Sequence, residues 1–180
     1  MRVITGSARG KRLAAPEGKD VTRPTGEKVK EGVFSSIQFL IESADVLDLY
    51  AGSGQLGIEA LSRGAKSAVF VDSNKEAQKC IKENLEGCGF EGLAKIKSTD
   101  ALLYLSGAAE RFDIAFLDPP YAAEQLPVVL PAVEKVMRAG GTVLCETSKT
   151  TDLPETVGRL TKAKEYRYGH TKVHMYKCGE

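Results

Sequence analysis

The chain is predicted to fold as one doubly wound α/β domain. The expected sheet is mostly parallel and seven-stranded, with helices on both faces and a C-terminal antiparallel hairpin. Three observations carry this expectation. Strand-like and helix-like runs alternate from Asp45 to Glu146, a glycine-rich turn joins the first such pair, and the last segment alternates polar and apolar residues around Gly169-His170. Strands alternating with helices imply parallel βαβ units, whereas two strands joined by a very short link must pair antiparallel. At 180 residues, with no internal repeat and no linker, residues 1–180 read as a single domain. Residues 1–26 form a basic extension of it.

The elements follow in order. Glu27–Ile41 has Val29, Val33, Phe34, Ile37 and Leu40/Ile41 at helical spacing. Asp45–Tyr50 is a short apolar strand, and Gln55–Arg63 a helix stopped by Gly64. Ser67–Asp72 is the second strand, and Lys75–Leu85 a helix ended by Gly87 and Gly89. Ala94–Ser98, a short helix Ala101–Leu105 and the strand Phe112–Leu117 come next. Leu126–Met137 is helical despite Pro127 and Pro131, one of which is expected to mark its start. Gly141–Glu146 is the fifth strand; Lys164–Tyr168 and Thr171–Cys178 form the hairpin.

Composition excludes several function classes. No apolar run is long enough for a membrane span, and no signal peptide opens the chain, so a cytoplasmic protein is expected. Cys80, Cys88, Cys145 and Cys178 lack metal-type or disulfide-framework spacing. His170 and His174 are too far apart along a strand to share a metal, and no metal is expected. The net charge is +1, but residues 1–30 hold eight basic against three acidic residues, and residues 159–178 hold six against one. That asymmetry suits a polyanion partner.

The tetrapeptide Asp118-Pro119-Pro120-Tyr121 closes the apolar run Ile114–Leu117. Two prolines remove two backbone donors and hold Asp118 extended at a strand tip. One carboxylate, one carbonyl without a helical partner and one aromatic ring suit a planar molecule bearing an exocyclic amine. Upstream, Asp48 precedes Gly52-Ser53-Gly54-Gln-Leu-Gly57 at a strand-to-helix turn. The glycines permit a tight turn and close packing of helix on strand. Asp72, ending the second strand, is placed to accept both hydroxyls of a ribose. The glycines alone suit a dinucleotide equally well. Asp48 separates the two: its charge opposes a pyrophosphate and favours the ammonium of S-adenosylmethionine. Asp100 is placed either for an adenine amine or as the cap of the helix that follows.

With these residues in this order, the chain resembles Rossmann-like S-adenosylmethionine-dependent amino-methyltransferases. Met1–Leu13 and Thr22-Arg23-Pro24-Thr25, followed by Val29, Lys30, Glu31 and Phe34, are similar to the bacterial 16S rRNA guanine-N2 methyltransferase family from end to end. Lys30 stands where arginine is frequent in that family, and Ser35 where asparagine is. The resemblance implies that Asp48, Tyr50, Gly52, Ser53, Gly54, Asp72, Ser73, Asp100 and Ala101 surround the cofactor, with Phe34 and Thr25 closing over it. It further implies that Asp118, Pro119, Pro120 and Tyr121 hold the target guanine, and that Arg2, Arg9, Lys11, Arg12 and Arg23 contact RNA. The implied partner is 16S rRNA or the assembling small ribosomal subunit, met by a monomer. The residues themselves leave open an adenine-N6 methyltransferase using the same tetrapeptide, a protein or small-molecule amine methyltransferase, an NAD-dependent oxidoreductase and a non-enzymatic RNA-binding module.

Overall fold

A computed structural model of the chain describes residues 1–17 and 25–180. Arg23, one of the basic residues singled out above, lies outside the described residues. Five helices and eight strands follow in the order α1 (Glu27–Ser36), β1 (Asp45–Leu49), α2 (Gln55–Ser62), β2 (Ser67–Asp72), α3 (Lys75–Cys88), β3 (Ala94–Ser98), α4 (Ala101–Gly107), β4 (Phe112–Leu117), α5 (Ala122–Val136), β5 (Met137–Ser148), β6 (Thr156–Val157), β7 (Leu160–Tyr168) and β8 (Thr171–Cys178). They build one sheet in the order β3-β2-β1-β4-β5-β8-β7-β6. Pairing is parallel from β3 through β5 and antiparallel from β5 through β6. The sheet thus has eight strands rather than seven. The extra one is the two-residue edge strand β6, too short to leave a pattern in the sequence. No helix among the described residues is long and apolar enough to cross a membrane.

Side-chain alternation along the strands sorts the core into two layers. Val46, Phe70, Ile114, Phe116 and Leu144 pack with residues of α1, α2 and α3. Leu47, Leu49, Val71, Ala115, Leu117, Val143 and Cys145 pack with α4 and α5 on the other face. Strand order reverses between β1 and β4, and the carboxyl ends of strands at such a switch point form the usual ligand crevice of open α/β sheets.

Three helices depart from their expected bounds by three residues or more. α1 stops at Ser36, whose hydroxyl donates to the Val33 carbonyl at 2.6 Å and so competes with the next helical turn; Ile37 and Ile41 remain buried, but Phe39 is 93% exposed. α3 runs on to Cys88 and ends on Gly89 at φ 74°, a left-handed cap. α5 starts at Ala122 and carries both prolines inside it. Pro127 and Pro131 lie on its exposed side, where water can satisfy the carbonyls they leave unpaired. Burial of Leu126, Val129, Leu130, Val133 and Val136 outweighs the local cost.

The first thirteen residues are a folded element docked on α2. Arg2 and Arg12 form an antiparallel bridge, and Val3, Ala8 and Leu13 are buried. Glu59 of α2 organises the contact: its carboxylate accepts the Ile4 and Thr5 amides at 2.9 and 3.0 Å and Arg63 Nε at 2.9 Å. Lys30 of α1 lies 3.5 Å away with its side chain fully buried, and its Nζ donates to the Arg2 carbonyl. Burial pulls the Lys30 ammonium below its ordinary pKa, against the opposing pull of Glu59. Glu59→Ala would strand that ammonium and two amides in the interior. It is expected to cost about 3–5 kcal/mol, read as a lower urea midpoint; a loss under about 1 kcal/mol would show that the network contributes little.

Candidate functional site

The glycine turn is held by backbone donors meeting strand-tip acids. Asp48 is buried and accepts the Gly57 amide at 2.9 Å. Asp72 accepts the Gly52 amide at 2.9 Å with one oxygen and the Asn74 amide at 2.8 Å with the other. Gly54 adopts φ 76° as the N-cap of α2, and a Cβ on Gly57 would sit 2.4 Å from the Phe70 ring. Close helix-on-strand packing is therefore the reason for Gly57. Asn74 caps α3 through the Glu76 and Ala77 amides, which leaves Asp72 free of that duty. Asp100 does cap α4, with Oδ1 accepting the Leu102 and Leu103 amides. It also faces a cavity.

That cavity, about 280 Å³, is lined by Tyr50, Gly52, Asp72, Ser73, Asp100, Ala101, Asp118, Pro120 and Gln125, together with Pro16 from the N-terminal element. A second, about 630 Å³, is lined by Asp118 to Glu124, Glu146, Thr147, His170 and their neighbours. The two share Asp118 and Pro120. Tyr121 is 68% exposed, its ring available to a partner. No protein donor among the described residues reaches the Pro119 carbonyl or Asp118 Oδ1.

Other residues are placed differently from the sequence expectation. Phe34 is fully buried, 5.4 Å from the Phe116 ring centroid and capped by the Arg63 guanidinium, and it lines neither cavity. Ser53 is buried, with its carbonyl taking Asn84 Nδ2 and its hydroxyl 3.4 Å from Met1 Sδ. Thr25 bridges two acids instead: its Oγ1 lies 3.1 Å from Asp118 Oδ2 and 2.9 Å from Glu146 Oε2. Glu146 went unread in the sequence. Its signal was there, an acid after the apolar run Val143-Leu144-Cys145, just as Asp118 follows Ile114–Leu117.

The charge ledger of the surface also changes. Of the C-terminal basic residues, Arg159 pairs with Glu134, Lys162 with Glu155, Arg167 with Glu165, and Lys172 with Asp152 and Glu165. Lys172 and His174 are buried. Four of the six bases are thus paired, partly with acids outside the hairpin, and the segment is not a free basic strip. Arg2, Arg9, Lys11 and Arg12 are exposed, and among the described residues only Arg2 of the four faces an acid, Glu27 at 3.4 Å.

Asp48, Asp118 and Glu146 all lie towards one sheet face, and among the described residues none of the three forms a salt bridge. Burial raises all three carboxyls; Asp48 reaches about 8, with the charges of Asp118 and Asp72 adding to the effect and the Gly57 amide opposing it.

The comparisons fit this geometry. The family model described as conserved hypothetical protein 95 matches residues 1–177. "Putative rRNA methyltransferase YlbH" of Bacillus subtilis is 41% identical over 98% of each chain. "Ribosomal RNA small subunit methyltransferase D" of Haemophilus influenzae is 33% identical over 98% of this chain and 93% of its own. A solved structure, "Putative methyltransferase yhhF" from Escherichia coli, superposes with a TM-score of 0.88 at 28% identity, covering 99% of this chain and 98% of that one.

The raised Asp48 carboxyl has a measurable consequence. The folded chain keeps its proton up to about pH 8, whereas the unfolded chain releases it near pH 4. Between those values the folded state binds more protons, so stability falls as pH rises. Asp48→Asn keeps an oxygen for the Gly57 amide. It is expected to raise the melting temperature of the unliganded protein by about 2–4 °C at pH 8, by much less at pH 5, and to match the parent only below about pH 4. Calorimetry at pH 8 and pH 5 checks this, and an equal shift at both would rule out ionisation as the cause.

Proposed function

We propose that this chain, which belongs to the conserved hypothetical protein 95 family, transfers a methyl group from S-adenosylmethionine to the exocyclic N2 of a guanine in 16S rRNA. The observation that carries this reading is the meeting of two cavities at Asp118 and Pro120. One holds features for a nucleoside donor; the other is walled by acceptors beside an exposed aromatic ring.

S-adenosylmethionine supplies a methyl activated on a sulfonium. The residues fit its parts by chemistry. Asp72 is the acid for ribose hydroxyls and Asp100 for an adenine amine. Asp48 lines neither cavity, but it lies within reach of the charges of Asp72 and Asp118, which do, so an ammonium or sulfonium between those two would act on it as well. Cations there would offset the burial of Asp48, Asp118 and Glu146, which the described residues do not do.

On the acceptor side, displacement at a methyl carbon needs mostly alignment. Asp118 Oδ1 and the Pro119 carbonyl accept the two protons of the amine, favour a pyramidal nitrogen and stabilise its growing positive charge. Asp118 then takes the surplus proton. Tyr121 stacks on the base, worth roughly 1–3 kcal/mol. A base inside folded RNA must be splayed out to reach this cavity. Guanine suits it better than adenine. Guanine presents N1–H beside its amine, two donors in a row, whereas adenine presents a bare N1. Asp118 and Glu146 stand side by side in the same wall, each with one oxygen that takes no hydrogen bond among the described residues. The exposed Arg2, Arg9, Lys11 and Arg12 would meet RNA phosphates on an element whose continuation, Pro16, reaches the donor cavity.

Incubation with labelled S-adenosylmethionine and immature small subunits, free rRNA or duplex DNA, followed by digestion to nucleosides, tests the reading. N2-methylguanosine from small-subunit RNA is expected; N6-methyladenosine, or transfer to DNA alone, would overturn it. Asp118→Ala is expected to lower turnover on the order of 100-fold or more with S-adenosylmethionine affinity little changed. Equal losses in both would assign Asp118 a structural role. Neutralising Arg9, Lys11 and Arg12 together should flatten the salt dependence of RNA binding by a log–log slope of about 2–3.

A further inference from the structure

Thr25 serves two carboxyl groups with one hydroxyl. It is 6% exposed, and its Oγ1 lies within hydrogen-bond distance of Asp118 Oδ2 and Glu146 Oε2 at 3.1 and 2.9 Å. A hydroxyl has a single proton to donate. If it gives that proton to one acid, it can only accept from the other, and an ionised carboxylate has nothing to give. Both contacts are made only when one of the two acids is protonated. Two ionised carboxylates linked through one hydroxyl would instead leave a repulsive contact in a buried place.

We infer that Asp118 and Glu146 hold one proton between them through Thr25, that it resides on Glu146, and that Glu146 is thereby a positioning residue for Asp118. Glu146 donates to Thr25 Oγ1, Thr25 donates to Asp118 Oδ2, and Asp118 keeps its charge and its free Oδ1 for the target amine. Thr25 is thus a one-way link whose direction is set by the acid behind it.

The placement of the two acids supports this order. Glu146 sits within β5 opposite Val173 of β8, inside the sheet. Asp118 lies beyond the end of β4, where both cavities open. Burial raises both carboxyls, Glu146 further than Asp118, whose charge also acts on Glu146. Among the described residues, the other titratable groups around the pair are Asp48 on β1, Tyr121 and Glu124 at the start of α5, and His170 in the β7–β8 turn. α1 presents Val29 and Val33, α2 Leu56 and β8 Val173. Nothing charged on those elements competes for the shared proton.

The role of the pair in methyl transfer rests on the proposed function, but the proton count is a property of the unliganded chain. The first measurement is therefore a pH titration of the full chain, labelled with carbon-13 at its Glu and Asp side-chain carboxyls, followed by NMR. One glutamate carboxyl is expected to titrate well above the ordinary range, near neutrality or higher, and to vanish in Glu146→Gln. If every glutamate titrates in the ordinary range, or the high one survives in Glu146→Gln, the inference is wrong whatever the enzyme methylates.

The second measurement is the pH profile of turnover. The parent should lose activity on the alkaline side as Glu146 ionises. Glu146→Gln, which still donates to Thr25, should lack that alkaline limb. Glu146→Ala and Thr25→Val should each lower kcat about tenfold, the worth of one hydrogen bond in the transition state, with the KM for S-adenosylmethionine little changed. Thr25→Ser should restore most of the loss in Thr25→Val. If Glu146→Gln falls as far as Glu146→Ala and keeps the alkaline limb, Glu146 acts by its charge or bulk and the relay is refuted. A chain that titrates as described yet methylates no RNA keeps the shared proton and loses the proposed function.

Discussion

The ion pair of Lys30 and Glu59 is the interaction on which the placement of the site depends. Glu59 lies in α2, the helix that starts from the glycine turn, and Lys30 lies in α1, the helix that starts two residues after Thr25. Between them they also hold the Arg2 carbonyl and the Ile4 and Thr5 amides. Three stretches far apart in sequence therefore share one buried polar network. A buried ion pair is weak evidence for stability in itself, because desolvation offsets most of its attraction. Its contribution here is registry: it fixes where the N-terminus of α1 stands relative to α2, and so where Thr25 stands relative to β4 and β5.

That registry matters because the site is otherwise a collection of acids at strand ends. β1, β2, β4 and β5 each deliver a carboxylate at or just past the carboxyl edge: Asp48, Asp72, Asp118 and Glu146. Parallel strands make this possible, since all their carboxyl ends lie along one edge, and even-numbered positions on all four strands face the α1–α3 layer. A sheet edge carrying four carboxyl groups under partial burial cannot ionise them all at little cost: Asp48 keeps its proton to about pH 8, and Asp118 and Glu146 meet at one hydroxyl. Backbone amides relieve Asp48 and Asp72, and a hydroxyl relieves Asp118 and Glu146. The remaining imbalance is what a cationic ligand would remove, which is why the electrostatics and the cavities point to the same chemistry.

Much of this was legible in the sequence because it rests on local signals. Alternating apolar runs mark the succession of strands and helices along the chain, Gly52–Gly57 the turn, and Asp118–Tyr121 a strand tip that no core would need. Local signals end where tertiary choice begins. One of Pro127 and Pro131 is expected to start α5 because the sequence does not show that both fall on the solvent side of a helix that begins at Ala122. Lys172 counts towards the C-terminal basic excess because nothing local reveals that β8 is an interior strand of the sheet, where it is buried with His174. The cofactor role that the resemblance implies for Phe34 cannot be weighed in the sequence, because only the fold packs the ring between Phe116 and Arg63. Thr25 and Glu146 lie 121 residues apart, and no spacing rule links them; only the fold brings their oxygens together.

The two halves of the site are built differently, and the difference bears on how each can respond to change. The donor side is over-determined. Tyr50 crosses from β1 into the turn at φ 63°, a conformation that costs a non-glycine residue roughly 1–3 kcal/mol. It is held there by a short ladder: the Ala51 amide donates to the Val71 carbonyl, Gly52 to Asp72, Gly54 to the Ala51 carbonyl and Gly57 to Asp48. Four backbone amides, two bonded to carbonyls and two to carboxyl groups, leave the turn around one strained residue little freedom, which suits a surface that must meet a ligand in one pose. The acceptor side hangs on a single hydroxyl and the protonation of one acid. Its geometry is set by a proton as much as by packing, so it can be altered by pH or by one substitution while the donor side stays as it is.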